Sequence, residues 1–175
     1  MKIIINESQL KLIVENEDKN KNLIDLTGVY ESGVSPNKWD DIFLLLKEKK
    51  EKKGDKTYDG YYIDEYVELY DSDVTELKYL VKLGDTLDLF RTPIKSLPML
   101  KYVGASLDLR YAPIESLPVL EYVGGSLDLD RTKIESLPML SYVGDFLNLQ
   151  YTPLSYSTTN EELRKQINVK GSIFL

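Results

Sequence analysis

Asp88, Asp108 and Asp128 recur at an interval of 20 residues, and each stands two residues ahead of a variable site that holds Phe90, Arg110 and Asp130. The residue after that site is Arg91, Tyr111 and Arg131, with Tyr151 in the same place one interval later. Carboxylates in a row can work as acid–base pairs, hold a cation or meet a basic partner. Arginine, tyrosine and phenylalanine are the side chains enriched at recognition hot spots. The chain has no histidine and no cysteine, which removes the commonest general base and metal ligand together. A glycosidase-like carboxylate pair is the chemistry that remains. It requires an acid and a base in unlike environments, whereas a translational array gives its aspartates like environments. No catalytic residue, cofactor or metal ligand is therefore expected. The calcium β-roll is a poor match too, because the unit here is 20 residues long and lacks a second glycine-bearing turn.

The interval belongs to a repeat. Residues 87–106, 107–126 and 127–146 are three copies of one sentence, without insertion. Numbered from its first leucine, each copy carries apolar residues at positions one, three, eight, eleven, fourteen and seventeen. Leu-x-Leu at the start has the period of a strand with both leucines inward. Proline at position twelve excludes a long helix in the return. The spacing of Ile-x-x-Leu and Leu-x-x-Val suits an irregular or 3₁₀ return. Glycine at eighteen marks the turn into the next strand. A fixed period of this size is the mark of a solenoid, whose coils bury their apolar sides by stacking. Strands one coil apart then lie side by side in a parallel sheet, about 4.8 Å apart.

In this geometry positions two, four and five face outward. Three aspartates stacked one strand apart repel by roughly 0.8 kcal/mol per adjacent pair even in water, and Arg91, Arg110 and Arg131 stand nearby to offset this. Two readings remain open. Solvent-facing positions must be polar, and charge there blocks sheet stacking. Alternatively, the column is a recognition face, and its carboxylates select a basic partner. Tyr102, Tyr122 and Tyr142 make a second column on the return, read as packing residues with solvated hydroxyls.

The flanks extend the pattern. Val67–Thr86 aligns as a degenerate first coil. Leu147–Leu154 opens a fifth that loses the pattern at Tyr156, and Gly171–Leu175 echoes the start of a coil as a closing strand. Four segments follow: 1–22, a strand, a helix and a linker; 23–66, a helical N-terminal cap; 67–158, the solenoid; 159–175, a C-terminal helix and closing strand. Within the first, Asn6 with Gln9 reads as a capping box. Ser35-Pro36 starts the cap helix, whose apolar face is Trp39, Ile42, Phe43, Leu45 and Leu46, with Gly54 as its stop. Residues 58–66 alternate in the manner of a strand pair. Thr159 with Glu162 forms another capping box.

Net charge is −7, which argues against nucleic acid as a partner, since phosphate binding needs a basic footprint. No run approaches the roughly 18 apolar residues of a membrane span, and the N-terminus lacks the basic start and longer apolar stretch of a signal peptide. A cytoplasmic protein is the expectation.

The stretch LDLRYAPIESLPVL resembles a leucine-rich repeat, Leu-x-Leu-x-x-Asn-x-Leu-x-x-Leu-Pro. Thr92, Thr132, Thr152 or Ala112 stand where that family has asparagine. The glycine-marked return is also similar to the repeats of receptor L domains. The resemblance implies an α/β solenoid, leucine-rich-repeat-like, with a short parallel β-sheet, irregular returns and helical caps at both ends. It also implies a scaffold that binds proteins. A third resemblance concerns origin. The opening MKIIINESQLKLIVENE is similar to N-terminal segments found on proteins of large tailed phages, and Ile13-Val14-Glu15 looks like the site cut by their head-maturation proteases. That resemblance implies a protein of the host cytoplasm or the virion. The expected function is non-enzymatic protein binding through the exposed strand face. A virion-associated assembly role is the alternative, and small-ligand or cation binding a more distant one.

Overall fold

A computed structural model describes residues 22–52 and 57–175. The expected strand, helix and cleavage motif within 1–21 lie outside the described residues, as does Gly54.

The chain coils as a parallel β-solenoid with about 20 residues per turn. The Leu-x-Leu starts form one sheet: β3 (Val67–Glu68), β5 (Leu87–Asp88), β7 (Leu107–Asp108), β9 (Leu127–Asp128) and β11 (Leu147–Asn148), closed by β13 (Ile173–Phe174). Register is held at the repeat, with Leu87 opposite Leu107 and Leu107 opposite Leu127. The six apolar positions of a coil converge inside. In the third coil Leu107, Leu109, Ile114, Leu117, Leu120 and Val123 are all at or below 1% exposure. Burying one such side chain contributes about 1.5–3 kcal/mol, and every coil shares its core with the coils on either side.

The returns hold more order than the sequence suggests. Their Ile-to-Leu part is irregular, but the Tyr-Val dipeptides are strands. They give a second sheet of seven strands, in the order β1 (Leu23–Asp25), β2 (Gly60–Ile63), β4 (Leu80–Leu83), β6 (Tyr102–Val103), β8 (Tyr122–Val123), β10 (Tyr142–Val143) and β12 (Asn168–Val169). Two residues are too few for an alternation to be read as a strand. Residues 58–66 likewise do not form a strand pair. β2 is buried along its whole length and lies between β1 and β4, so both of its faces are covered.

Side chains close the two ends, because edge strands present unpaired backbone groups. At the start a 3₁₀ turn, Pro36–Lys38, leads into helix α1, Trp39–Lys52. Pro36 occupies the first position as expected, but the Ser35 side chain makes no capping bond. Trp39, Ile42, Phe43 and Leu46 are buried. The polar side of this cap matches the first coil group by group. The Tyr30 hydroxyl donates to the Glu68 carbonyl at 2.8 Å. Asn37 Oδ1 accepts from the Thr75 amide, and the Asp40 carboxylate accepts from the amides of Lys78 and Tyr79. A shallow cavity lined by Asn37, Asp40, Asp41, Leu44, Thr75, Glu76, Lys78 and Tyr79 is the seam of this cap.

At the other end Thr152 and Pro153 start a short helix, α2 (Pro153–Ser157), where the apolar pattern lapses. Helix α3 (Asn160–Gln166) follows, with the Thr159–Glu162 capping box formed. Arg164 donates to the carbonyls of Val169 and Gly171, and Asn160 donates to that of Ile173. Among the described residues no helix is long and apolar enough to cross a membrane.

Candidate functional site

The variable residues sit at the corner that follows each Leu-x-Leu strand. Here the chain turns sharply. The amide at position six donates to the carbonyl at position three, as from Ala112 to Leu109 at 3.0 Å and from Thr132 to Leu129 at 3.1 Å. Three devices hold this turn.

The first is the aspartate column. Asp88, Asp108 and Asp128 each use Oδ1 to accept the amide two residues on, at 2.9, 3.0 and 3.2 Å. Asn148 does the same for Gln150 at 3.1 Å, so the turn needs an oxygen acceptor and not a charge. The second device is threonine. Thr92, Thr132 and Thr152 donate their hydroxyls to the carbonyls of Leu89, Leu129 and Leu149. They add a second donor to a buried acceptor. Ala112, fully buried, has only its backbone bond.

The third device is conformational. Position five adopts left-handed backbone in all five coils: Asp71, Arg91, Tyr111, Arg131 and Tyr151 have φ between 52° and 61°. Left-handed backbone costs an ordinary L-residue about 1–2 kcal/mol and glycine almost nothing. No glycine is used here.

The side chains at this corner form a continuous interleaved ridge. Arg91 lies 4.7 Å from the Phe90 ring centre and 5.6 Å from that of Tyr111; Arg131 lies 5.0 Å from Tyr111 and 4.4 Å from Tyr151. Arg110 also lies over the Phe90 ring, at 5.0 Å. Such contacts contribute about 0.5–1 kcal/mol each at exposed sites. The ridge is open to solvent, with Tyr111 45% and Tyr151 59% exposed.

Electrostatics at the corner are strained in the same region. Arg110 pairs with Asp108 at 2.6 Å and reaches Asp128 at 3.7 Å. The Asp128 carboxyl is nonetheless pushed above the usual carboxylate range, first by burial and then by the charges of Asp108 and Asp130. Asp130 is buried, accepts from the Arg131 guanidinium at Oδ2 at 2.9 Å and leaves Oδ1 without a hydrogen-bond partner. The structure thus brings all ten expected residues to one edge of one sheet. Asp130 differs from the outward placement expected of it, because its neighbours enclose it.

One feature of this region has no signal in the sequence, and another is seen there only as a column. The left-handed backbone at position five has no signal in residues such as Arg and Tyr. The stacking of Tyr102, Tyr122 and Tyr142 was signalled by their interval alone; the rings lie face to face, 4.7 and 4.8 Å apart and within 6° of parallel. Lys82 and Lys170 lie over the two ends of this stack, at 5.4 and 5.9 Å. No protein-family model, curated protein or solved structure gives a match to this chain.

Proposed function

We propose that this chain is a non-enzymatic protein-binding module, leucine-rich-repeat-like, which recognises a protein partner through the ridge of positions four and five and the aspartate column beside it. The observation that carries the reading is the left-handed backbone of Arg91, Tyr111, Arg131 and Tyr151. Glycine or asparagine would hold the same turn at lower conformational cost. Large exposed cationic and aromatic side chains stand there instead, in four consecutive coils. Strain of this kind persists where a side chain is needed for something other than the fold. The charge of Asp128 supports the same reading, since the neutral Asn148 makes the equivalent turn. Net charge of −7 favours a basic protein surface over nucleic acid as the partner.

The resemblance of residues 1–17 to phage segments favours a phage-infected cell or its virion as the setting of this module. For an assembly role, end-to-end strand pairing is disfavoured where side chains occupy edge-strand carbonyls, on β3 at one end and on β12 and β13 at the other.

The test is affinity capture from a cell lysate with the wild type and with Tyr111→Gly/Arg131→Gly, which relaxes the backbone while removing the ridge. A captured protein is then purified and its affinity for both forms measured. A loss of tenfold or more in the variant, with unchanged circular dichroism, is expected. Equal affinity for both overturns the proposal.

A further inference from the structure

Arg110 shows what two facing carboxylates on this sheet require. Its guanidinium bridges Asp108 and Asp128, neighbours in adjacent strands, while it stacks over Phe90. Two coils earlier the same two positions hold Glu68 and Asp88, which face each other across β3 and β5. The position from which Arg110 reaches its pair is there Tyr70. Among the described residues, no cation lies within ion-pair distance of Glu68 or Asp88. Asp88 gives Oδ1 to the Phe90 amide, and the Glu68 carboxylate makes no hydrogen bond within the described protein. Like charges directly opposite each other weaken a sheet; Arg110 feels the charge of Asp88 but from beyond ion-pair distance, so this pair stands without the bridging cation that its repeat-mate has.

The surroundings suit a cation from outside. Tyr66 and Tyr70 flank β3 on either side of Glu68, the Tyr66 phenol lies within reach of the charges of Glu68 and Asp88, and the two residues are 46% and 52% exposed. The Tyr66 phenol is pushed upward, by burial first and then by the charges of Glu68 and Asp88, as expected beside unneutralised carboxylates. Exposed aromatic rings beside carboxylates attract guanidinium and ammonium groups through their π-faces and through charge.

We propose that the Glu68–Asp88 pair, flanked by Tyr66 and Tyr70, is the seat for an arginine or lysine side chain of a basic segment in the protein partner. This rests on the reading of the strand face as a recognition surface. The partner's cation completes in the first coils the arrangement that Arg110 completes internally in the third and fourth. A bare divalent ion fits less well, since two carboxylates supply few of the six or more oxygens it takes.

The probe is hexa-arginine, titrated calorimetrically at 0.15 M salt. Three variants are compared with the wild type: Glu68→Gln/Asp88→Asn; Tyr70→Arg, which places an internal guanidinium at the seat; and Glu115→Gln/Glu135→Gln, which removes the same charge from exposed positions elsewhere on the coils. The expected result is a loss of tenfold or more for the first two, less than twofold for the third, and a higher Tm for Tyr70→Arg. Absence of binding to the wild type, or equal losses in all three, overturns the proposal. A partner that loses affinity in Tyr111→Gly/Arg131→Gly while hexa-arginine ignores the seat variants leaves the recognition face standing and sinks the seat alone. Hexa-arginine binding that depends on the seat, with a partner indifferent to the ridge, supports the cation seat and overturns the ridge reading.

Discussion

At the corner where a return strand meets the next Leu-x-Leu strand, the chain places glycine without using its left-handed freedom. At the corner after the Leu-x-Leu strand, it adopts left-handed backbone without placing glycine. Gly104, Gly124 and Gly144 have ordinary backbone angles; the positive-φ glycines among the described residues are Gly28 and Gly33. What these three lack is room. A Cβ on Gly104, Gly124 or Gly144 would lie 1.8–2.0 Å from the carbonyl oxygen of the glycine one coil earlier. Successive coils approach so closely along this edge that no side chain fits between them. The glycine corner is therefore set by packing between coils. The opposite corner keeps its side chains at a conformational cost within each coil. One sequence can thus show glycine where the fold is tightest and withhold it where the backbone most favours it.

The comparison breaks most visibly at Gly124. Gly124→Ala forces the added methyl against the Gly104 carbonyl, so the coils must part or the chain must shift. A loss of about 3 kcal/mol is expected, read as a lowered urea midpoint. At the opposite corner the order inverts. Tyr111→Gly should be more stable than Tyr111→Ala by about 0.5–1 kcal/mol, the left-handed penalty less the added chain entropy of glycine. If alanine proves the better of the two in denaturant unfolding, strain at position five is not what the backbone angles imply.

Two smaller changes sharpen the account of the turn. Thr132→Val keeps the shape but leaves the Leu129 carbonyl with one donor fewer, for an expected loss of about 1 kcal/mol in the same assay. Asp128→Asn keeps the acceptor and removes a charge that the fold disfavours. Because burial raises the folded carboxyl above its unfolded value, the folded state binds the proton more tightly. The penalty on the native state is absent below the unfolded pKa of about 4, and it grows as pH rises through the raised value. Asp128→Asn should therefore raise Tm at pH 7, by an amount corresponding to less than about 1 kcal/mol, and leave it unchanged near pH 3. An equal rise at both pH values would show that the charge is not the cause.

Much of this architecture is legible in the letters. The invariant Leu, Leu, Ile, Leu, Leu and Val of each copy assign the core, and Thr159 with Glu162 marks the last helix. The second sheet is not legible, because a two-residue strand has no periodicity of its own; its evidence is that Val103, Val123 and Val143 recur in register. Ser35 carries a strong capping signal, but the first turn winds as 3₁₀ and the hydroxyl is left out of it. At the corner after the Leu-x-Leu strand the candidate residues could be identified by variation among copies. Their backbone could not, since left-handed turns are signalled by glycine or asparagine, and here the turn is held instead by the aspartate and threonine side chains on either side. Those two residue types read as surface charge and as a partial substitute for asparagine, and their joint role as a brace appears only when the distances are known.

The caps carry one more consequence. Tyr30, Asn37 and Asp40 touch only the first coil, and Asn160 and Arg164 touch only the closing turn and strand. None of these contacts measures how many copies lie between the caps. Duplicating residues 107–126 in the gene would lengthen the molecule by one strand spacing and add a fresh pair of variable residues to the ridge. It would leave both ends as they are. The number of coils is then a quantity that unequal recombination can adjust, and with it the reach of the surface, without redesign of the fold.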